Sequence, residues 1–405
     1  MRQFLLTVAL SAVALCSQAG HFHQILFRTL PDSVPYRIPA IAQAQNGNII
    51  AVADYRYCGS DIGYGAIDLH FRESSDQGKT WSAERKLADG TGDESSAGWN
   101  YAFGDCALVA DRTSPRVLAI GVCGKTPYTK ARRNNPNRVA RFYSDDNGHT
   151  WNQGEEITEK IYRLFDKHKD GPVQSLFFGS GKIHQSRYVK VGRYYRLYAA
   201  LCTLQGNFVV YSDDFGKSWK ALGNTTQSPC PKGDEPKCDE LPDGSVILSS
   251  RANGRLFNVY TFTNVKKGRG SWDVPMKSQS FDGIQNACNG EILVVKARRA
   301  SDETDVWLAL QSVPFGPQRR HVGFFYRELP TTHIGTAGLV TGWTRGLQVS
   351  QQLSAYSTMT QLIGGNIGFL WEEGPTTYNI AYEVLSISEI TNGRYFTPTL
   401  TRNTY

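Results

Sequence analysis

The chain has 405 residues, of which 40% are hydrophobic and 20% charged, with 44 Lys and Arg against 37 Asp and Glu for a formal net charge of +7. This composition excludes a disordered or fibrous chain. The basic excess fits an anionic ligand, but no long Lys/Arg run supports nucleic-acid binding. Rings are dense, with 8 Trp, 20 Tyr and 19 Phe, and 39 Gly stand beside only 3 Met. Many rings among many turn residues favour an all-β chain over a helical one.

In chain order, Arg2 precedes an apolar stretch from Phe4 to Cys16, followed by Ser17-Gln18-Ala19-Gly20. This reads as a signal peptide over 1–19 cut after Ala19, too short for a membrane anchor. Export to the periplasm or the exterior is expected, with 20–405 as a single domain. Seven cysteines then remain, at 58, 106, 123, 202, 230, 238 and 288. Seven is odd, so at least one stays unpaired within the chain. Cys230 and Cys238 could close a short loop, whereas buried small hydrophobes are the simpler reading for most. No His/Cys cluster has zinc spacing, and no metal or cofactor is expected.

Three octapeptides share the pattern S-x-D-x-G-x-[ST]-W: Ser74 to Trp81, Ser144 to Trp151 and Ser212 to Trp219. Their tryptophans recur at intervals of 70 and 68 residues. Asp and Ser side chains in such a segment bond nearby backbone N–H groups, Gly supplies positive φ, and Trp is an apolar anchor. These aspartates are therefore structural. Short apolar runs precede each turn, such as Ile49 to Val52, Val117 to Ile120 and Phe208 to Tyr211. Trp272 and Trp343 follow degenerate turns, Lys267 to Gly270 and Gly338 to Gly342. Only 155–169 reads as helical. A period of about 50–70 residues gives about six units, and four-stranded repeats close into a propeller. The expected fold is all-β, a six-bladed β-propeller of four-stranded antiparallel blades.

Before the first octapeptide stands Tyr36-Arg37-Ile38-Pro39. Together with the three boxes, this resembles the bacterial sialidase (neuraminidase) family across essentially the whole mature chain. Tyr36 takes the place of the commoner Phe in that motif. The resemblance implies a retaining exo-α-sialidase acting on sialylated glycoproteins, glycolipids or oligosaccharides, and a monomer is expected. A trans-sialidase, an anhydro-forming variant and a non-catalytic sialic-acid-binding propeller are the alternatives.

A sugar with a carboxylate on its anomeric carbon calls for planar, bidentate cations. The resemblance implies Arg37, Arg251 and Arg319 for that task, with Arg320 as the alternative to Arg319. Glu372 resembles the acid that orients the first arginine. A carboxylate nucleophile would be repelled by an anionic centre, whereas a neutral phenol is not, provided a neighbour takes its proton. Tyr356, in Ala355-Tyr356-Ser357, matches the family tyrosine, and Glu235 its base, with Glu240 as the rival. Asp61 matches the acid/base and Asp68 is its rival. Arg56 and Asp105 are implied to hold the 4-hydroxyl, although Cys106 stands where the family commonly has Pro. The loop containing Tyr128 is expected to receive the acetamide.

Overall fold

A computed structural model describes residues 23–95, 98–284 and 288–398. The strands form six sheets arranged as the blades of one closed ring. The inner strands are Tyr36–Gln43, Phe103–Ala110, Leu176–Phe178, Asp234–Glu240, Ile292–Arg299 and Leu353–Gln361. Every blade carries the expected four-stranded antiparallel meander, and four of them add a short fifth strand. Blade six takes its outermost strand, Gln24–Phe27, from the start of the described chain, where it pairs antiparallel with Asn379–Leu385. That strand closes the ring.

Both faces of a blade are covered by its neighbours, so the strands read as apolar runs rather than strict alternations. Ile50, Val52, Leu69 and Phe71 of blade one pack with Leu108, Val117, Ala119 and Phe142 of blade two in one buried cluster. The three octapeptides join the third and fourth strands of blades one to three. In the first, Asp76 Oδ1 accepts from Ser74 Oγ at 2.8 Å and from Thr80 N at 2.9 Å, and Ser74 Oγ accepts from Gly78 N at 2.8 Å. The other two repeat this pattern.

Each turn uses two left-handed residues, the pairs Gln77–Gly78, Asn147–Gly148 and Phe215–Gly216. The glycines also fit against the preceding blade. A Cβ on Gly78 would lie 2.4 Å from the Tyr382 ring, on Gly148 2.5 Å from Ile50, and on Gly216 2.3 Å from Leu118. Trp81 continues that contact edge-on to Tyr382, and Trp151 meets Phe71. The boxes are therefore stitches between blades as well as turns.

Three expectations are corrected. The segment 155–169 holds a strand at Glu155–Glu156, one helical turn at Thr158–Tyr162 and a 3-10 turn at Arg163–Phe165, because its apolar residues serve the cluster shared by blades two and three. Gly338 to Gly342 is no hairpin turn: a helix at Thr336–Leu339 occupies it, and Trp343 instead stacks on Phe257 of blade four at 5.3 Å. Cys230 and Cys238 do not pair; all seven described cysteines are free and six of them are buried. The expected signal peptide, with Cys16, lies outside the described residues. Among the described residues no helix is long and apolar enough to cross a membrane.

Blade one contains a buried charged cluster distinct from the hub. His70 stacks on Tyr55 at 4.6 Å, with Nδ1 2.5 Å from Glu84 and Nε2 3.4 Å from Asp68. Burial opposes its charge, but Asp68 and Glu84 hold its pKa above the ordinary imidazole value.

Replacing Gly148 by Ala forces a Cβ onto a left-handed residue and into Ile50, and should cost about 3 kcal/mol in urea unfolding. A raised folded-state pKa on His70 means that its ion pairs contribute fully below the unfolded pKa and fade as pH rises through the folded one. The stability deficit of His70→Gln should therefore be larger at about pH 6 than at about pH 9.

Candidate active site

Four inner strands slip register at the same end of the ring. The shifts fall between Arg37 and Ala40, Gly104 and Ala107, Asp234 and Pro236, and Ser354 and Ser357. A bulge re-aims the side chains beside it. These bulges sit where Arg37, Asp105, Glu235 and Tyr356 leave their strands. Ile38 and Asp105 hold φ near +54° and +50° there, a conformation that only surrounding contacts make tenable for non-glycine residues.

The side chains converge on a cavity of about 500 Å³ at the hub. Its wall contains Arg37, Arg56, Asp61, Asp105, Glu235, Arg251, Arg319 and Tyr356, eight of the nine residues singled out above. Glu372, the ninth, is buried beneath Arg37. Arg320 is exposed and outside the wall. Glu240 is buried far down its strand, accepting from Ser186 Oγ and Arg187 N. Asp68 belongs to the His70 cluster. Neither rival carboxylate reaches the cavity.

Arg37 is held by a single buried carboxylate. Its Nε donates to Glu372 Oε1 at 2.7 Å and its Nη2 to Oε2 at 3.2 Å. The same carboxylate accepts the backbone N–H of Ile38 at 2.8 Å and that of Tyr356 at 3.1 Å. Burial disfavours the charge on Arg37, yet Glu372 raises its pKa above that of a free guanidinium. The guanidinium carbons of Arg37 and Arg319 lie 5.6 and 5.5 Å from the centre of the Tyr356 ring. Arg251 Nη1 donates to Glu235 Oε2 at 2.7 Å and to Tyr356 Oη at 3.3 Å. Three planar cations thus flank one phenol.

Tyr356 Oη donates a hydrogen bond to Glu235 Oε1. Burial and the Glu235 charge raise the phenol's pKa well above its ordinary value, with Arg251 pulling the other way. The resting phenol is therefore neutral, and its proton already points at an acceptor.

Across the cavity, Arg56 gathers three carboxyl groups. Nη1 donates to Asp61 Oδ1 at 2.6 Å, Nη2 and Nε donate to Asp54 Oδ2 at 2.9 and 3.2 Å, and Nη2 lies 3.7 Å from Asp105 Oδ1. The Asp61 side chain is 72% exposed, on the cavity's rim. Burial pushes the Asp54 carboxyl up to about 7 against the pull of Arg56. Burial and Asp54 likewise raise Asp105 well above the carboxylate range.

The sequence reading missed Asp54 and Tyr378, whose ring lies 5.0 Å from the Arg37 guanidinium. Asp54 had a signal: a carboxylate closing the apolar run Ile49 to Ala53 must be buried and needs a partner. Tyr378 had none. The apolar wall is Ile62, Val122, Tyr128 and Phe177, with Tyr128 edge-on to Phe177 at 5.0 Å. Among the described residues no group of three or more His, Cys, Asp or Glu side chains is placed to hold a metal ion.

Comparison with known proteins bears on the fold. The BNR/Asp-box repeat family matches residues 142–153 and 210–221, the second and third octapeptides. A sialidase of Paraclostridium sordellii is 26% identical over 65% of this chain and 64% of its own length. One of Micromonospora viridifaciens is 27% identical over 86% of this chain and 52% of its own. The structure of an intramolecular trans-sialidase from Ruminococcus gnavus superposes with a TM-score of 0.64 at 19% identity, over 88% of this chain and 95% of that one. The repeats, the sialidase relatives and the sialidase structures together support a propeller similar to those of bacterial sialidases. The chain's match spans less than two thirds of the length of both curated relatives.

Within this ring, Glu372 ties blade six to blade one through three N–H groups of Arg37 and Ile38, and accepts a fourth from Tyr356 of its own blade. Glu372→Ala leaves the Arg37 charge buried without a partner and should cost about 3–5 kcal/mol. Urea unfolding followed by tryptophan fluorescence measures it.

Proposed function

We propose that the chain is a sialidase-type glycoside hydrolase that removes terminal α-linked sialic acids with retention, through a tyrosyl-enzyme intermediate. The observation that carries this reading is the Tyr356–Glu235 hydrogen bond set among Arg37, Arg251 and Arg319. The three arginines hold the substrate carboxylate and so place the anomeric carbon over the phenol oxygen. As Tyr356 Oη forms its bond to that carbon, Glu235 takes the phenol proton. The glycosidic bond breaks, and Asp61 supplies the proton to the leaving oxygen. Asp61, now a carboxylate, then takes a proton from water, which attacks the same carbon; the bond to Tyr356 Oη breaks and Glu235 returns its proton to the departing phenol oxygen. The place of Asp61 on the exposed rim suits contact with a leaving group that extends into solvent. Arg56 and Asp105 hold the 4-hydroxyl, and the acyl group lies on the wall of Tyr128 and Phe177.

Residues 20–405 act in this reading as one exported catalytic unit on sialylated glycoproteins, glycolipids or oligosaccharides, as a monomer and without a cofactor. A second reading is intramolecular transfer, in which a substrate hydroxyl replaces water and an anhydro sugar is released. The likeness to the Ruminococcus gnavus structure supports it.

The test is incubation with a fluorogenic α-sialoside, with and without chelator, and product analysis by mass. Chelator-insensitive release of free sialic acid is expected. An anhydro product would select the second reading, and saturable binding without turnover would overturn both. Tyr356→Phe should lose about a hundredfold or more in kcat with its fold retained. Asp61→Ala should slow a sialylated disaccharide far more than an aryl sialoside, whose acidic leaving group needs no proton.

A further inference from the structure

Two buried carboxylates occupy equivalent places in successive blades. Glu372 lies near the end of the second strand of blade six, Ile367–Gly374, and Asp54 near the end of that of blade one, Ile49–Tyr55. Each accepts a fork from an arginine of the cavity, Arg37 for Glu372 and Arg56 for Asp54. Each also reaches the inner strand of the next blade. There Glu372 accepts from Ile38 N at 2.8 Å, and Asp54 Oδ1 accepts from Asp105 N at 3.0 Å. Ile38 and Asp105 are the two left-handed residues on the bulges of those strands. The same device is built twice around the ring, and its second copy serves the Arg56 side of the cavity.

We propose that Asp54 is a positioning residue for substrate recognition: it fixes the Arg56 guanidinium and the Asp105 bulge together, so that both meet the same substrate hydroxyl. This rests on the sialidase reading above, in which that hydroxyl is the one on carbon 4. The reason lies in the competition for Arg56. Asp61 holds Nη1 from the solvent side, while Asp54 holds Nε and Nη2 from the interior. Without Asp54 the guanidinium is free to turn outward to Asp61, away from Asp105, from which it is already 3.7 Å distant. Asp105 in turn loses the acceptor that fixes its left-handed N–H. Gly104 is part of the arrangement, since a Cβ there would lie 2.9 Å from Asp54 Oδ2. Asp54 makes none of these contacts by exposure to the cavity. It is fully buried and lies behind the wall, so its effect on substrate must pass through Arg56 and Asp105.

The experiment compares an aryl α-sialoside with its 4-deoxy analogue, on the full chain and on Asp54→Asn, with a melting curve for each protein. The wild type should prefer the hydroxylated substrate by about tenfold or more in kcat/KM, the worth of a hydrogen bond to a charged group. In Asp54→Asn that preference should collapse to within about threefold, chiefly through KM. A folded Asp54→Asn that keeps the wild-type preference overturns the inference, as does a wild type with no preference. Should the substitution prevent folding, Gly104→Ala displaces the same carboxylate and should lower the preference in the same way; an unchanged preference there also overturns it. Absence of turnover by the wild type on either substrate is a different result: it removes the sialidase reading, and this inference with it.

Discussion

The buried pair of Arg37 and Glu372 is the constraint on which the rest of the site depends. A fully buried carboxylate is costly unless nearly every lone pair is used. Glu372 meets that demand by accepting two guanidinium N–H groups and two backbone N–H groups. Those four donors belong to the start of blade one and the start of blade six, the seam at which the ring closes. One interaction therefore joins the blades, fixes a cation, stabilises the left-handed backbone at Ile38 and places the backbone of Tyr356.

The two ends of the ring do different work with the same backbone freedoms. At one end, the Ser-Asp-Gly-Trp turns use left-handed residues to press blades one to three each onto the one before, with no room for a Cβ. At the other end, bulges and left-handed residues turn functional side chains toward the axis. Strain at the second end persists because buried carboxylates over-determine it. The tightly packed end holds the frame against which that strain is maintained.

The Tyr356–Glu235 pair shows how the site sets protonation by environment. Burial keeps the phenol neutral, and the carboxylate beside it is the acceptor. Arg251 touches both and opposes the shift of the phenol. On the opposite wall, three carboxyl groups share one guanidinium, so burial and mutual repulsion raise Asp54 and Asp105. The hydrogen-bonded phenol and carboxylate thus face two buried carboxyl groups whose pKa values are shifted upward, across a cavity of about 500 Å³.

Much of this was legible in the chain itself. Side chains that bond their own backbone within eight residues, and apolar runs of strand length, are local properties, so the three boxes and the propeller could be read from residues alone. The residue types that suit an anionic sugar were legible too, through motifs such as Tyr36 to Pro39 and Ala355 to Ser357. What remained open depended on groups far apart in the chain. Arg319 and Arg320 are adjacent and chemically identical, and only the path of the loop after Pro314 sends one inward and leaves the other exposed. Tyr378 carries no local mark, and it matters because the fold stacks it on Arg37. The apolar residues of 155–169 fit a helix, but the cluster between blades two and three claims them in other conformations. Local hydrogen bonding and hydrophobic pattern determined the blades. The burial of charges contributed by distant blades, whose cost is set by surroundings the linear chain does not display, was decided only by the closed ring.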